Sequence, residues 1–302
     1  VNNSASTQTL NVPVVISAAQ TFNAAAGNLT LNSNVTISGN TLTVDGAANT
    51  TIGGVISGTA GLNKIGGGSL ALMKANTYVN NGSSDTALNG GTLVIGNDLA
   101  LGTSRLAFGD GSTIQSADSS ARVITNALNF GGNTTYAGTG NLKFTRGAAN
   151  STPKTMTVNN PVTEFSGVLS GNMSRTVAGT GLLIYSGANT YNQGTTINPG
   201  ATLQLGNGGT SGSLSTSGTI DVEGTLIFNR SDAIVQGTHF STAPIIGGGS
   251  IVQAGSGTVT LNAANTYSGQ TTVNNGELFI TPAYQNGGNV VVANDASFGV
   301  SA

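Results

Sequence analysis

The sequence predicts an all-β fold, a parallel β-helix or β-solenoid built from short strands with Gly- and Asn-rich corners. Three observations carry that prediction. Apolar and polar residues alternate in bursts of about three to five residues, the period of a strand with one face buried. The phrase ANTY recurs at 75–78, 188–191 and 264–267. Charged residues make up only 7% of the 302, with 46 Gly, yet 37% of residues are hydrophobic and the net charge is −2. Disorder needs the opposite combination, low hydrophobicity with high net charge, so the chain has something apolar to bury.

The first clear bursts are Leu29/Leu31, Val35/Ile37 and Leu42/Val44, with Asn, Gly, Ser or Asp between them. Their centres lie about six or seven residues apart, too close for hairpins of ordinary length but suited to a chain that turns a corner after every strand. Three such strands close one coil of about 20 to 24 residues. Stacked at about 4.8 Å, the chain then makes roughly 13 to 15 coils over about 60 to 70 Å. Leu, Val and Ile are expected to alternate inward and Thr and Ser outward, with Gly or Asn at corners that need positive φ. No window places apolar residues at helical spacing among good helix formers.

The clearest repeats fall at 54–96, 167–206 and 224–280, within what reads as one continuous solenoid over 1–302. The first carries GVISG, GGGSLAL, ANTY with Asn76 and Tyr78, and GGTLVIG. In the second, Asn189 and Tyr191 precede GTTI, and in the third Asn265 and Tyr267 precede QTTV. The three Asn are 113 and 76 residues apart, close to three and two units of about 38. After each ANTY comes a Gly and an alternating apolar pair: Gly91 with Leu93 and Ile95, Gly200 with Leu203 and Leu205, Gly276 with Leu278 and Ile280. Differences between copies sit at turns, as in SSD at 83–85, where a repeat tolerates insertion. In FNRSD, Phe228 is expected in the interior, with Arg230 and Asp232 on one face and paired with each other or with adjoining coils. The tyrosines are expected to close corners of the core with their hydroxyls on solvent or backbone, and the Asn-Asn steps at 2–3, 80–81, 159–160 and 274–275 to stack as corner amides. All nine marker residues thus read as structural, and no cofactor is implied.

Composition narrows the partners. Without an excess of Lys and Arg the chain has little with which to displace counterions from phosphates, which argues against nucleic acid and against anionic membranes. With Cys 0 there is no disulfide framework or thiolate chemistry. No apolar run is long enough for a membrane-spanning helix. The opening VNNSASTQTL has neither a basic nor an apolar leader segment, so a signal peptide is expected to have been removed or to lie upstream.

Two other functions compete with a structural role. A β-helical polysaccharide enzyme needs clustered carboxylates. Only Asp221 and Glu223 stand at i, i+2, and an exposed pair beside a turn accounts for them more simply. His239 has no motif around it and reads as a solvated corner residue, while the GGGS runs at 66–69 and 247–250 lack the Lys-Ser/Thr and helix of a phosphate loop. An ice-binding array would need Thr-x-Thr at constant spacing. The pairs Thr41/Thr43, Thr155/Thr157 and Thr258/Thr260 are irregularly spaced.

The run from 224 to 280, with FNRSD, GSGTVTLNAANTYSGQTTVNNGEL and the preceding LQLGNGGTSGSLSTSGTI at 203–220, resembles the autotransporter-associated β-strand repeat, or passenger-associated repeat, of bacterial surface and secreted proteins. The likeness covers about the last 120 residues most closely, and residues 54–96 lack the GxTTV step. It implies a right-handed parallel β-helix, exported to the cell surface or beyond, serving as adhesin, stalk or fibre-forming scaffold. It also implies a segment or mature unit of a larger repetitive protein, whose partners are adjoining repeats, copies of itself, or glycans and proteins of a neighbouring or host cell.

Overall fold

The computed structural model describes residues 1–79, 85–281 and 288–300. The chain divides into two compact units, Val1–Arg146 and Gly147–Ala302. Each is a parallel β-solenoid, and among the described residues every regular element is a strand of two to five residues. Consequently no helix there is long and apolar enough to cross a membrane.

In the first unit one ladder stacks Gln8–Leu10, Leu29–Leu31, Thr50–Ile52, Ser69–Leu72, Thr92–Ile95, Ser112–Ser116 and Thr134–Ala137. A second begins with Val14–Ile16 and Val35–Ile37 and ends with Ile56–Gly58; a third runs from Gln20–Asn23 through Leu42–Asp45, Leu62–Lys64, Thr86–Leu88 and Leu106–Phe108 to Leu128–Phe130. Arg122–Ile124 pairs with Leu142–Phe144. Strands this short cannot persist alone, because backbone pairing and burial both come from the adjoining coils. Register follows the period of two: Leu31, Ile52, Leu72 and Ile95 lie directly above one another, all fully buried. Between them Thr30 and Thr51 face outward. Higher in the unit aromatic side chains fill the interior. Phe108 stacks on Phe130 with centroids 5.1 Å apart, while Tyr136 and Phe144 meet edge to face at 5.6 Å.

The second unit repeats the plan. One ladder runs Lys154–Val158, Ser174–Ala178, Gly194–Ile197, Thr219–Val222 and Ile245–Ile246; another runs Val162–Phe165, Leu182–Tyr185, Thr202–Leu205, Thr225–Phe228, Ser250–Gln253, Thr271–Val273 and Val290–Val292. A third joins Ile234–Val235, Thr258–Leu261, Glu277–Ile280 and Ser297–Val300, and a two-stranded ladder pairs Ala148–Ala149 with Leu169–Ser170. Coils span from 19 residues, Thr258 against Glu277, to 25, Gly194 against Thr219.

Three expectations are corrected. Among the described residues, positive φ belongs to Gly, with Asp295 as the exception, so Asn does not supply the left-handed corners. Glycine alone carries no Cβ to collide there. The described Asn-Asn steps do not form amide ladders: Asn2 donates to the Ser6 and Asn28 carbonyls, and Asn160 to the Val162 carbonyl. Amide ladders occur elsewhere, from Asn32 to Asn11 at 2.8 Å and from Asn89 to Asn63 at 2.9 Å. The 80–81 step and residues 83–84 of the SSD insertion lie outside the described residues. Finally, Thr and Ser do not all face outward. Thr50, Thr86, Thr134, Thr195, Thr271 and Ser112 point into the interior.

Candidate functional site

Each ANTY segment lies on the last strand of a ladder in its unit: Asn76 over Ile56–Gly58, Asn189 over Leu169–Ser170, and Asn265 over Ile245–Ile246. The contact is the same three times. The Asn Oδ1 accepts the N–H of the residue 20 positions earlier: Ile56 at 2.7 Å, Leu169 at 2.8 Å and Ile245 at 2.7 Å. The next residue, Thr77, Thr190 or Thr266, donates its own N–H to the carbonyl of that same Ile or Leu at 2.9 Å. A second rung runs from Val79, Asn192 and Ser268 to the carbonyls of Gly58, Gly171 and Gly247. The side-chain amide therefore stands where a strand would present a main-chain carbonyl. The underlying strand thus gains partners for the N–H and carbonyl of its Ile or Leu and for the carbonyl of the Gly two residues on, although the segment above it is not itself a strand.

The Asn side chains are buried, so their remaining donors need partners as well. Asn76 Nδ2 donates to the Ala100 carbonyl at 2.6 Å and Asn189 Nδ2 to the Gly187 carbonyl at 3.3 Å. Asn265 forms a reciprocal pair with Gln236, each amide donating to the other at 2.9 Å.

Two residues on, the tyrosines are sealed in the interior. Their side chains are shut off from solvent. Their hydroxyls meet inward-facing threonines: Tyr78 with Thr86 at 2.7 Å, Tyr191 with Thr195 at 2.7 Å and Tyr267 with Thr271 at 2.6 Å. Burial raises the Tyr78 hydroxyl far above its ordinary range, despite the opposing bond to Thr86. Tyr191 rises likewise through burial, aided by Tyr185, whose own hydroxyl burial lifts to about 12.

Above about pH 10 the unfolded chain releases tyrosine protons that the folded chain keeps, so stability falls by about 1.4 kcal/mol per pH unit for each such group. A spectrophotometric titration is expected to show these tyrosinates appearing only together with unfolding. Smooth titration near pH 10 with the fold intact would contradict the sealed positions.

Charges follow the same economy of structure. Lys64, Lys154, Arg175 and Arg230 are buried, as is Glu164. Lys64 Nζ donates to the Gly66 carbonyl at 3.0 Å and also to Ile65, closing a Gly-rich corner; burial lowers its pKa against the opposing field of Asp45. Arg230 binds Asp232 through two bonds, 2.8 and 2.6 Å, and the Gly212 carbonyl at 3.2 Å. The guanidinium hydrogen bonds hold the Asp232 carboxyl below the usual carboxylate range. Phe228 lies beneath them, fully buried against Phe240 with centroids 5.0 Å apart.

The residues suited by type to chemistry are dispersed. Asp221 is half-buried on Thr219–Val222, whereas Glu223 lies past its end and accepts the Gly248 N–H at 3.1 Å. His239 is half-buried rather than solvated, and its Nδ1 accepts the Val235 N–H at 3.1 Å, closing a tight turn. Among the described residues no three His, Asp or Glu gather as metal ligands would. Thr155/Thr157 and Thr258/Thr260 belong to different ladders of the second unit, so those two pairs form no common array.

Missing from the sequence reading were the partners of the three Asn. Their signal was available: VISG, VLSG and IIGG place Gly58, Gly171 and Gly247 each 18 residues before the Asn of ANTY.

Comparison with known proteins agrees with this repeat. Residues 62–95, 176–205 and 251–278 match the passenger-associated-transport-repeat family. Each match contains one ANTY and begins after the Ile or Leu that its Asn holds. A similar curated protein is the adhesin BmaC autotransporter of Brucella suis biovar 1 (strain 1330), 37% identical over 103 residues, or 28% of this chain. The alignment spans about 3% of that relative's length. No solved structure matches the chain.

Proposed function

We propose that this chain, a β-solenoid carrying three passenger-associated transport repeats, works outside the cell as a non-catalytic surface passenger whose role is adhesive or structural. The observation that carries the reading is the use made of its polar side chains. In all three repeats the recurring Asn ties one coil to the one before it, and the recurring Tyr and its inward-facing Thr satisfy each other within a coil. Lys64 and Arg230 likewise serve corners rather than a cleft. What remains outside is a repetitive surface of hydroxyl, amide and small side chains, suited to broad, shallow contact. The partners proposed are glycans or proteins on a neighbouring or host cell, together with further repeats of the same kind. Surface location rests on the family of the repeats and on the adhesin relative.

The test is adherence without turnover. Purified chain immobilised on beads is expected to bind cells saturably while leaving neutral and acidic polysaccharides intact. Changing Asp221 and Glu223 to Ala is expected to leave binding unchanged. Polysaccharide cleavage that disappears in that double variant would replace this reading with an enzymatic one, and thermal hysteresis would replace it with an ice-binding one.

A further inference from the structure

We propose that Asn275 is a spontaneous modification site, preset by its corner for ring closure onto the next residue and conversion to aspartate and isoaspartate. Three Asn-Gly steps lie among the described residues: Asn89-Gly90, Asn207-Gly208 and Asn275-Gly276. They share the local sequence that favours this reaction, because Gly offers an unhindered nitrogen and a pliable backbone. Their folded settings differ.

Asn207-Gly208 is restrained at both reacting groups. The Gly208 N–H is held by the Asn229 carbonyl at 2.9 Å, and the Asn207 amide donates to Glu164 at 3.4 Å. At Asn89 the amide is tied to Asn63 of the preceding coil at 2.9 Å. At Asn275 the side chain is exposed and folded back over its own successor, with Oδ1 2.8 Å from the Gly276 nitrogen. No backbone carbonyl accepts that N–H among the described residues. Because Cγ is bonded to Oδ1, the electrophilic carbon is brought against the nitrogen that must attack it. Gly276 is fixed at φ +62°, and a Cβ there would fall 2.3 Å from the Gly257 carbonyl, so the backbone has little freedom to leave this arrangement. Reacting groups held together in this way gain the rate advantage of intramolecular proximity.

The chemistry needs only water. The Gly276 nitrogen loses its proton to solvent and attacks Asn275 Cγ; the Cγ–Nδ2 bond breaks and ammonia leaves, giving a succinimide. Water then opens either carbonyl, yielding aspartate or, with one more methylene in the backbone, isoaspartate. Either product sets a new carboxylate beside the exposed Glu277. The isoaspartate also lengthens a corner that leads directly into Glu277–Ile280, the strand paired with Thr258–Leu261.

The test is to age the full chain in mildly alkaline buffer and follow each Asn-Gly step by tandem mass spectrometry, folded and in concentrated urea. In the folded chain Asn275 is expected to convert about ten-fold or more faster than Asn89 and Asn207. In urea the three rates are expected to converge. Asn275→Gln should abolish the modification at 275 without altering the urea midpoint of fresh protein. Folded rates that are equal, Asn89 or Asn207 converting first, or a ranking that persists in urea would each overturn the proposal.

Discussion

Gly171→Ala is expected to destabilise the second unit by upwards of about 4 kcal/mol, enough to unfold the coils around it. Two causes add. Gly171 sits at φ +115°, outside the region that an L-residue enters readily, which costs about 1 to 3 kcal/mol. Its absent Cβ would also lie 1.8 Å from the Asn150 carbonyl oxygen, and a main-chain atom of a neighbouring coil cannot rotate out of the way. Gly200→Ala is the control. Gly200 has φ +80°, but a Cβ added there would meet nothing within 4 Å, so only the conformational term of about 1 kcal/mol applies. Because each coil touches only its neighbours, the damage at Gly171 should be local. Hydrogen exchange is expected to accelerate along Leu169–Ser170 and the ANTY segment above it, and a loss of protection no larger than that of Gly200→Ala would refute the stacking.

The interior columns were legible in the sequence because their cause is local: Leu29/Leu31 and Val35/Ile37 alternate with polar residues, and alternation is enough to assign faces. The recurrence of ANTY is equally plain in the sequence. What could not be read was which coil each marker addresses, since that depends on contacts 20 residues away in sequence and one layer away in space. Thr195 and Thr271 looked like surface residues by type. They turn inward because a buried tyrosine hydroxyl needs a partner there. Buried Lys64 and Arg230 break the usual preference of charge for solvent for a related reason: Gly-rich corners leave carbonyl oxygens facing inward, and a long cationic side chain satisfies them. Hydrophobicity alone ranks such residues as exposed, and only the corner geometry reverses it.

For a related reason Asn265 is the most costly of the three repeat asparagines to remove. Asn265→Ala strips the Ile245 N–H of its acceptor in a fully buried layer and breaks both bonds of the reciprocal pair with Gln236. Gln236 keeps its contacts with the Ala243 carbonyl and the Ala263 N–H, so its amide is weakened rather than abandoned. One orphaned backbone donor, two lost amide bonds and a small cavity together should cost about 3 to 4 kcal/mol. Asn189→Ala should cost less, about 2 kcal/mol, because its second bond, to the Gly187 carbonyl, is already long at 3.3 Å. Asn265→Asp tests the mechanism rather than the volume. The carboxylate still accepts from Ile245, yet it has no hydrogen to give Gln236 and places a charge at a site with no exposure, so it should not rescue stability. The exposed neighbour Thr266→Ala should stay within about 0.5 kcal/mol of the parent. Urea midpoints measured with unchanged slopes would rank the four variants. If Asn265→Ala proved as mild as Thr266→Ala, the amide would not be acting as the missing rung of the ladder, and the sheet beneath it would have to be closed by something else.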